Sequence, residues 1–212
     1  GTGSAMTIDH NLGQVPGMII VKSTSATYDW AVWHREFTGT TDYIKLNSTA
    51  AKTDSAGVFG NGGTYLTPTS TQFFVGGNNQ VSGEVGGGYV AYLFAHNNDD
   101  GGFGEPGDQD IIKCDGIDST SDDIVNVTLG FEPQFIMIKK TSTTGDWQIF
   151  DNMRGMPHGS DDQILAWNSS SAESNSNRIK INPDGFTASG FGTNTDYIYM
   201  AIRRGGMQTP TA

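Results

Sequence analysis

The stretch Leu12-Gly13-Gln14-Val15-Pro16-Gly17-Met18-Ile19-Ile20-Val21-Lys22, continued through Ser23 to Trp30, returns later in the chain. There it reads Leu129-Gly130-Phe131-Glu132-Pro133-Gln134-Phe135-Ile136-Met137-Ile138-Lys139, continued through Lys140 to Trp147. The two align without a gap and ten of nineteen positions are identical, including the Leu-Gly pair, the proline, the lysine and the closing Asp-Trp. A repeat of this length defines a structural unit before any secondary structure is assigned. Working outward, Leu46-Asn47-Ser48 answers Trp167-Asn168-Ser169, Phe73 or Phe74 answers Phe186, and Tyr89-Val90 answers Tyr197-Ile198. The order is kept while the intervening lengths drift, as expected of folded copies whose loops tolerate insertions.

Within each copy the apolar runs are short, β-branched and bounded by Gly, Asn, Ser and Thr, which is the signature of strands. They predict strands near 6–10, 17–23, 29–36, 42–47, 64–67, 71–75 and 88–95. The second copy repeats them near 123–128, 134–140, 146–151, 162–168, 178–181, 185–189 and 195–203. Glycine and asparagine cluster between them, as in Gly60-Asn61-Gly62-Gly63 and Gly76-Gly77-Asn78-Asn79, where tight turns are easily made. The expectation is an all-β fold of two tandem β-sandwich, jelly-roll-like modules. The first covers 1–96, an acidic Gly-rich linker 97–110, the second module 111–205, and a C-terminal linker 206–212. Ile111-Ile112-Lys113-Cys114 is expected to open the second module as a short strand or to pack between the two.

Composition agrees. The 212 residues include 29 Gly, 11 Phe, 7 Tyr and 4 Trp, with only 17% charged. A net charge of −11 disfavours nucleic acid as a partner, because that affinity comes largely from Lys and Arg replacing counterions. Cys114 is the single cysteine, so no intrachain disulfide forms, and no apolar run is long enough to span a membrane as a helix.

The string Thr7-Ile8-Asp9-His10-Asn11-Leu12-Gly13, followed by Pro16 to Lys22 and Asp29-Trp30-Ala31-Val32, resembles a repeat-bearing module of tail fibres and other virion proteins of marine and environmental bacteriophages. The second copy resembles it through Leu129 to Pro133, Asp151-Asn152-Met153-Arg154-Gly155 and Tyr197 to Gly205. The resemblance spans nearly the whole chain. It implies location in the virion, assembly in the host cytoplasm, other virion subunits as partners and a homo-oligomer, a trimer as in many fibres. It further implies host attachment through a surface glycan or protein, with a connector or decoration protein as the alternative and a glycan depolymerase behind both. The opening Gly1 fits a piece of a longer fibre protein.

No side chains announce catalysis, and the expectation is a non-enzyme. His10, His34, His96 and His158 are scattered, and no Gly-x-Ser-x-Gly elbow occurs. The pairs Asp99-Asp100, Asp122-Asp123 and Asp161-Asp162 are adjacent residues, which on a strand point to opposite faces. The linker acids Asp99, Asp100, Glu105, Asp108 and Asp110 are the candidate ligands for calcium, which takes six to eight oxygens, although their spacing is not that of an EF-hand. Strand alternation puts Trp30 and Trp147 on a mostly apolar face, as core anchors. Trp33 and Phe150 fall on the more polar face and are the candidate ligand contacts. Trp167, aligned with Leu46, is expected in the core, and Lys22 and Lys139 at solvent-facing strand ends.

Overall fold

The computed structural model describes residues 1–61, 63–97, 111–119, 123–156 and 162–205. The protein is all-β, its strands joined by turns and one short 3-10 turn at Arg35–Phe37. The first copy supplies β1 (Met6–Asp9), β2 (Met18–Ser23), β3 (Ala31–His34), β4 (Asp42–Lys45), β5 (Thr53–Asp54), β6 (Gln72–Val75) and β7 (Tyr89–Phe94). The second supplies β8 (Ile112–Ser119), β9 (Ile124–Thr128), β10 (Pro133–Lys140), β11 (Trp147–Asp151), β12 (Asp162–Ala166), β13 (Ser174–Ser176), β14 (Ile179–Asn182), β15 (Gly185–Ser189) and β16 (Thr195–Arg203). The short strands β5 and β13 were not foreseen, and 64–67 forms only an isolated bridge between Asn61 and Thr64. Of the stretch Ile111–Cys114, Ile112 to Cys114 open the longer strand β8, which pairs with β16.

Each copy has one large and one small antiparallel sheet. The large sheets run β5-β4-β3-β2-β7 and β13-β12-β11-β10-β16-β8, the small ones β1-β6 and β14-β15-β9. The repeat is therefore a repeat of topology, with two additions in the second copy: β8 at the edge of the large sheet and β14 at the edge of the small one have no counterpart strand among the described residues of the first copy.

The copies do not stand one after the other as separate sandwiches, because their large sheets pack through one buried cluster. That cluster holds Ile20, Val32 and Ile44 of the first copy together with Met137, Trp147, Ile149, Ile198 and Met200 of the second. On the second copy's other face, Ile136, Ile138, Phe150, Tyr199 and Ala201 pack with Ile179, Phe186 and Ala188 of the small sheet. Cross-strand register separates the two sets: Met137 lies opposite Ile149 and Met200, while Ile136 lies opposite Phe150 and Ala201. The same alternation assigns Ile20 and Val32 to the face between the copies, and Ile19 and Trp33, opposite each other, to the face over β1 and β6. Equivalent faces of the two copies thus meet.

This layering explains the failed expectations. Met18 to Val21 and Ala31 to His34 are buried at every position, since both faces of the sheet are covered. The run Met-Ile-Ile-Val is the pattern of a strand buried on both sides, where alternation carries no information about solvent. Trp33 (1% exposed) and Phe150 (0%) are therefore buried, a correction to their placement on a polar, solvent-facing side of their strands. Lys139 is also corrected, because it lies opposite Trp147 on the face between the copies and is wholly buried. Its Nζ donates to the carbonyls of Thr49 (3.1 Å) and Gly145 (2.6 Å). Lys22, its equivalent, is half-buried and donates to the carbonyls of Ser23 and Ala26. Trp167 is corrected in the opposite sense: it follows the end of β12 and is half exposed, although its equivalent Leu46 is buried.

The identical Asp-Trp and Asn residues are accounted for locally. Asn47 Oδ1 accepts from the Trp30 N–H (3.0 Å) while its Nδ2 donates to Asp29 (2.8 Å). Asn168 does the same for Trp147 (2.7 Å) and Asp146 (2.8 Å). Both clamps fix the entry of a central strand. Trp147 then donates its indole N–H to the Lys45 carbonyl of the other copy (2.9 Å), a polar tie across the shared core. A further close approach falls at Gly17, where a Cβ would stand 2.7 Å from that of Cys114 in β8.

Candidate functional site

The acidic candidates Asp99, Asp100, Glu105, Asp108 and Asp110, with Asp122, Asp161 and His158, lie outside the described residues. Among the described residues no three His, Cys, Asp or Glu side chains gather as a metal site. Asp162, of the adjacent pair Asp161-Asp162, is fully buried in β12 and accepts from the backbone N–H of Arg178 (2.8 Å) and Ile179 (2.6 Å). It anchors the start of β14.

The fold does bring two carboxyls together from different copies, Glu36 and Asp115. Partial burial raises the Glu36 carboxyl above its ordinary value, and a hydrogen bond to Asp115 and repulsion from it act in the same sense. Two carboxyls in direct contact leave no room for the glycosidic bond that a hydrolytic pair must flank at about 5 to 9.5 Å. Nothing in the sequence pairs these residues, since the contact depends on how the copies face each other.

The histidines are tied to the backbone. His34 is buried and its Nε2 contacts the Tyr199 carbonyl (3.1 Å), with burial pushing its pKa down to about 3. His96 Nδ1 contacts the Cys114 carbonyl at 2.7 Å, and burial brings its pKa to about 4, so both rings are neutral at pH 7. The Cys114 backbone nitrogen also lies 3.3 Å from His96 Nδ1, and in the tautomer that satisfies the shorter contact, with Nδ1–H donating to the Cys114 carbonyl, Nε2 of His96 is left as an acceptor.

His96 also helps line a cavity of about 370 Å³ at one end of the first copy's large sheet, with Gln14, Val15, Pro16, Trp33, Arg35, Thr38 and Thr67. Its geometry follows from the fold. The Pro16-Gly17 entry to β2 forms one wall, and the Arg35 N–H donates to the Gly17 carbonyl (2.9 Å), setting the residue beside that wall. The end of β7 delivers His96. Trp33, though sealed from solvent, closes the floor, and its Nε1 has no hydrogen-bond partner among the described residues.

Arg35 is the chemically distinctive member. The other described arginines reach carboxylates (Arg154, Arg204) or an aromatic face (Arg178), or are bonded elsewhere (Arg203). The half-buried Arg35 side chain has neither an ion pair nor a hydrogen bond among the described residues. A guanidinium presents a planar fork of donors that matches a carboxylate. The cavity therefore combines one cation, a neutral acceptor, two hydroxyls and an apolar floor. Its volume is at the small end of small-molecule sites. Sequence reasoning passed over Arg35, whose only signal was membership in a set of 12 Lys and Arg.

Two shallower depressions flank the loop between β2 and β3. One is lined by Lys22, Tyr28, Trp30 and Asn47, the other by Tyr28, Asp29, Asn78 and Gln80. Trp30, expected as a core anchor, is only partly buried and stacks on the half-exposed Tyr92 (6.4 Å, 21°).

Fold and site define an all-β protein built of paired antiparallel sheets. The chain belongs to the family described as Domain of unknown function (DUF7483), which matches residues 1–204. No curated protein and no solved structure matches it.

Proposed function

We propose that this chain is a non-enzymatic component of a bacteriophage tail fibre or related virion appendage, and that it contributes to host attachment by holding an acidic sugar of a surface polysaccharide. The resemblance carried by the repeated motifs supports the virion location. The observation that carries the ligand class is Arg35 in its cavity, without an ion pair among the described residues. With His96 neutral, the cavity holds a single positive charge, and the chain around it carries a net −11. One guanidinium suits a monoanion such as a hexuronate better than a doubly charged phosphate. Sugar hydroxyls complete the match by donating to His96 Nε2 and exchanging bonds with Thr38 and Thr67.

The test is calorimetric titration with oligoglucuronate, oligogalacturonate and their neutral hexose counterparts, alongside adsorption of the labelled chain to encapsulated cells. Binding restricted to the uronates, weakened about ten- to a hundredfold by Arg35→Gln, is the expected result, the loss of a charge-assisted bond being about 1.5 to 3 kcal/mol. Equal binding of neutral and acidic sugars, or an unaffected Arg35→Gln variant, refutes the ligand class. A chain that binds neither sugar nor cell is a connector between virion subunits. Release of reducing ends from the polysaccharide overturns the non-enzymatic reading.

A further inference from the structure

The large sheets of the two copies differ at one edge. In the second copy β16 is covered on both sides, by β10 and by β8. In the first copy β7, the equivalent of β16, pairs with β2 alone among the described strands. Exposure follows the pairing. Tyr197 to Ala201 are all buried, whereas β7 is partly exposed along its whole length and Tyr92 is 47% exposed.

Hydrogen-bond parity identifies which groups are left over. The Thr24 N–H donates to the Gly88 carbonyl, so Gly88, Val90, Tyr92 and Phe94 bond towards β2. Tyr89, Ala91 and Leu93 therefore direct their N–H and C=O groups away from it. Their equivalents Tyr197, Tyr199 and Ala201 lie opposite Ile117, Asp115 and Lys113 of β8. The Arg203 N–H bonded to the Ile111 carbonyl sets the same parity on that side.

We propose that β7 is the interface for a second copy of this chain, pairing antiparallel with its own counterpart across a twofold axis at Ala91. Antiparallel pairing about Ala91 sets Tyr89 opposite Leu93 of the other copy and Ala91 opposite itself, so all three leftover residues meet hydrogen-bonding partners in one register. The two five-stranded sheets then become one continuous sheet. Charge favours this strip, because Tyr89-Val90-Ala91-Tyr92-Leu93-Phe94 is uncharged in a chain of net −11. Edges that must stay single are blunted by lysine, proline, bulges or inward charges, and β7 carries none of these. The assembly is a dimer, in place of the trimer implied by the fibre resemblance.

Sedimentation velocity over a 1 to 100 µM range tests it. The expected result is a dimer that Ala91→Pro converts to monomer, since proline removes an outward N–H and spares the bonds to β2. Circular dichroism and a melting curve establish that the variant is folded. Should it fail to fold, hydrogen exchange on the unaltered chain decides. In the dimer the Tyr89, Ala91 and Leu93 amides are slow, and on dilution they become fast while Val90 and Tyr92 stay slow. A monomer throughout the range, a trimer, or a dimer in which those three amides exchange fast overturns the proposal.

Discussion

Replacing Lys139 by methionine asks whether a buried charge strains the shared core. The ammonium has no exposed surface, its partners are two carbonyls, and burial lowers its pKa from 10.5 to about 8. That drop corresponds to about 3 kcal/mol of preference for the neutral amine on folding. Between pH 8 and 10.5 the unfolded chain holds the proton and the folded chain has released it, so stability from this group rises with pH across the window. Below about pH 8 the folded protein carries the full cost.

Lys139→Met removes that cost and leaves the Gly145 carbonyl without its donor, a loss of about 1 to 2 kcal/mol. The Thr49 carbonyl keeps a bond from the Gly145 N–H (2.9 Å). At pH 7 the variant is expected to be more stable than the parent by about 1 to 2 kcal/mol, and by pH 10.5 the order reverses. Urea denaturation of both proteins at half-unit steps from pH 7 to 10.5 gives the difference directly, cancelling the tyrosines that titrate in both. A difference that stays flat across the range refutes the claim that the lysine is charged and strained in the fold.

Two further outcomes follow from the packing. His34→Gln is expected to flatten the acid side of the stability curve: the folded pKa of about 3 lies below the ordinary 6.5, so stability from the neutral ring is full above 6.5 and is lost as pH falls towards 3. Equal slopes for parent and variant between pH 6.5 and 4 in urea melts count against it. Trp147→Ala removes a wholly buried ring and its bond to the Lys45 carbonyl, costing about 3 to 5 kcal/mol. Because that ring belongs to the core common to both copies, calorimetry should show one transition shifted as a unit, and a second, unshifted peak would mean that the copies melt independently.

The sequence made the strands legible because short β-branched runs bounded by glycine and asparagine admit little else, and the gapless match of 12–30 with 129–147 located equivalent strands in both copies. The faces were not legible in the same way. Alternation assigns Trp33 and Phe150 to one side of their strands, but solvent lies on that side only if no second layer covers it. The uninterrupted runs Met18 to Val21 and Phe135 to Ile138 were the signal that both sides are covered. Lys139 hid the same fact, since a lysine ending an apolar strand ordinarily reaches water. The cavity was harder still: Gln14, Arg35, Thr67 and His96 are brought together from separate loops and strand ends, and no spacing along the chain encodes that meeting.

The shared core also bears on how the polypeptide could be divided. Cleaving the backbone anywhere within 98–110 would leave two fragments, each with one face of its large sheet stripped of its cover, Ile20 and Val32 on one piece and Met137 and Trp147 on the other. Each half is therefore a sticky, incomplete body alone, and the two together form a complementing pair. A cut there yields a split protein whose reassembly reports the proximity of whatever is fused to its new ends.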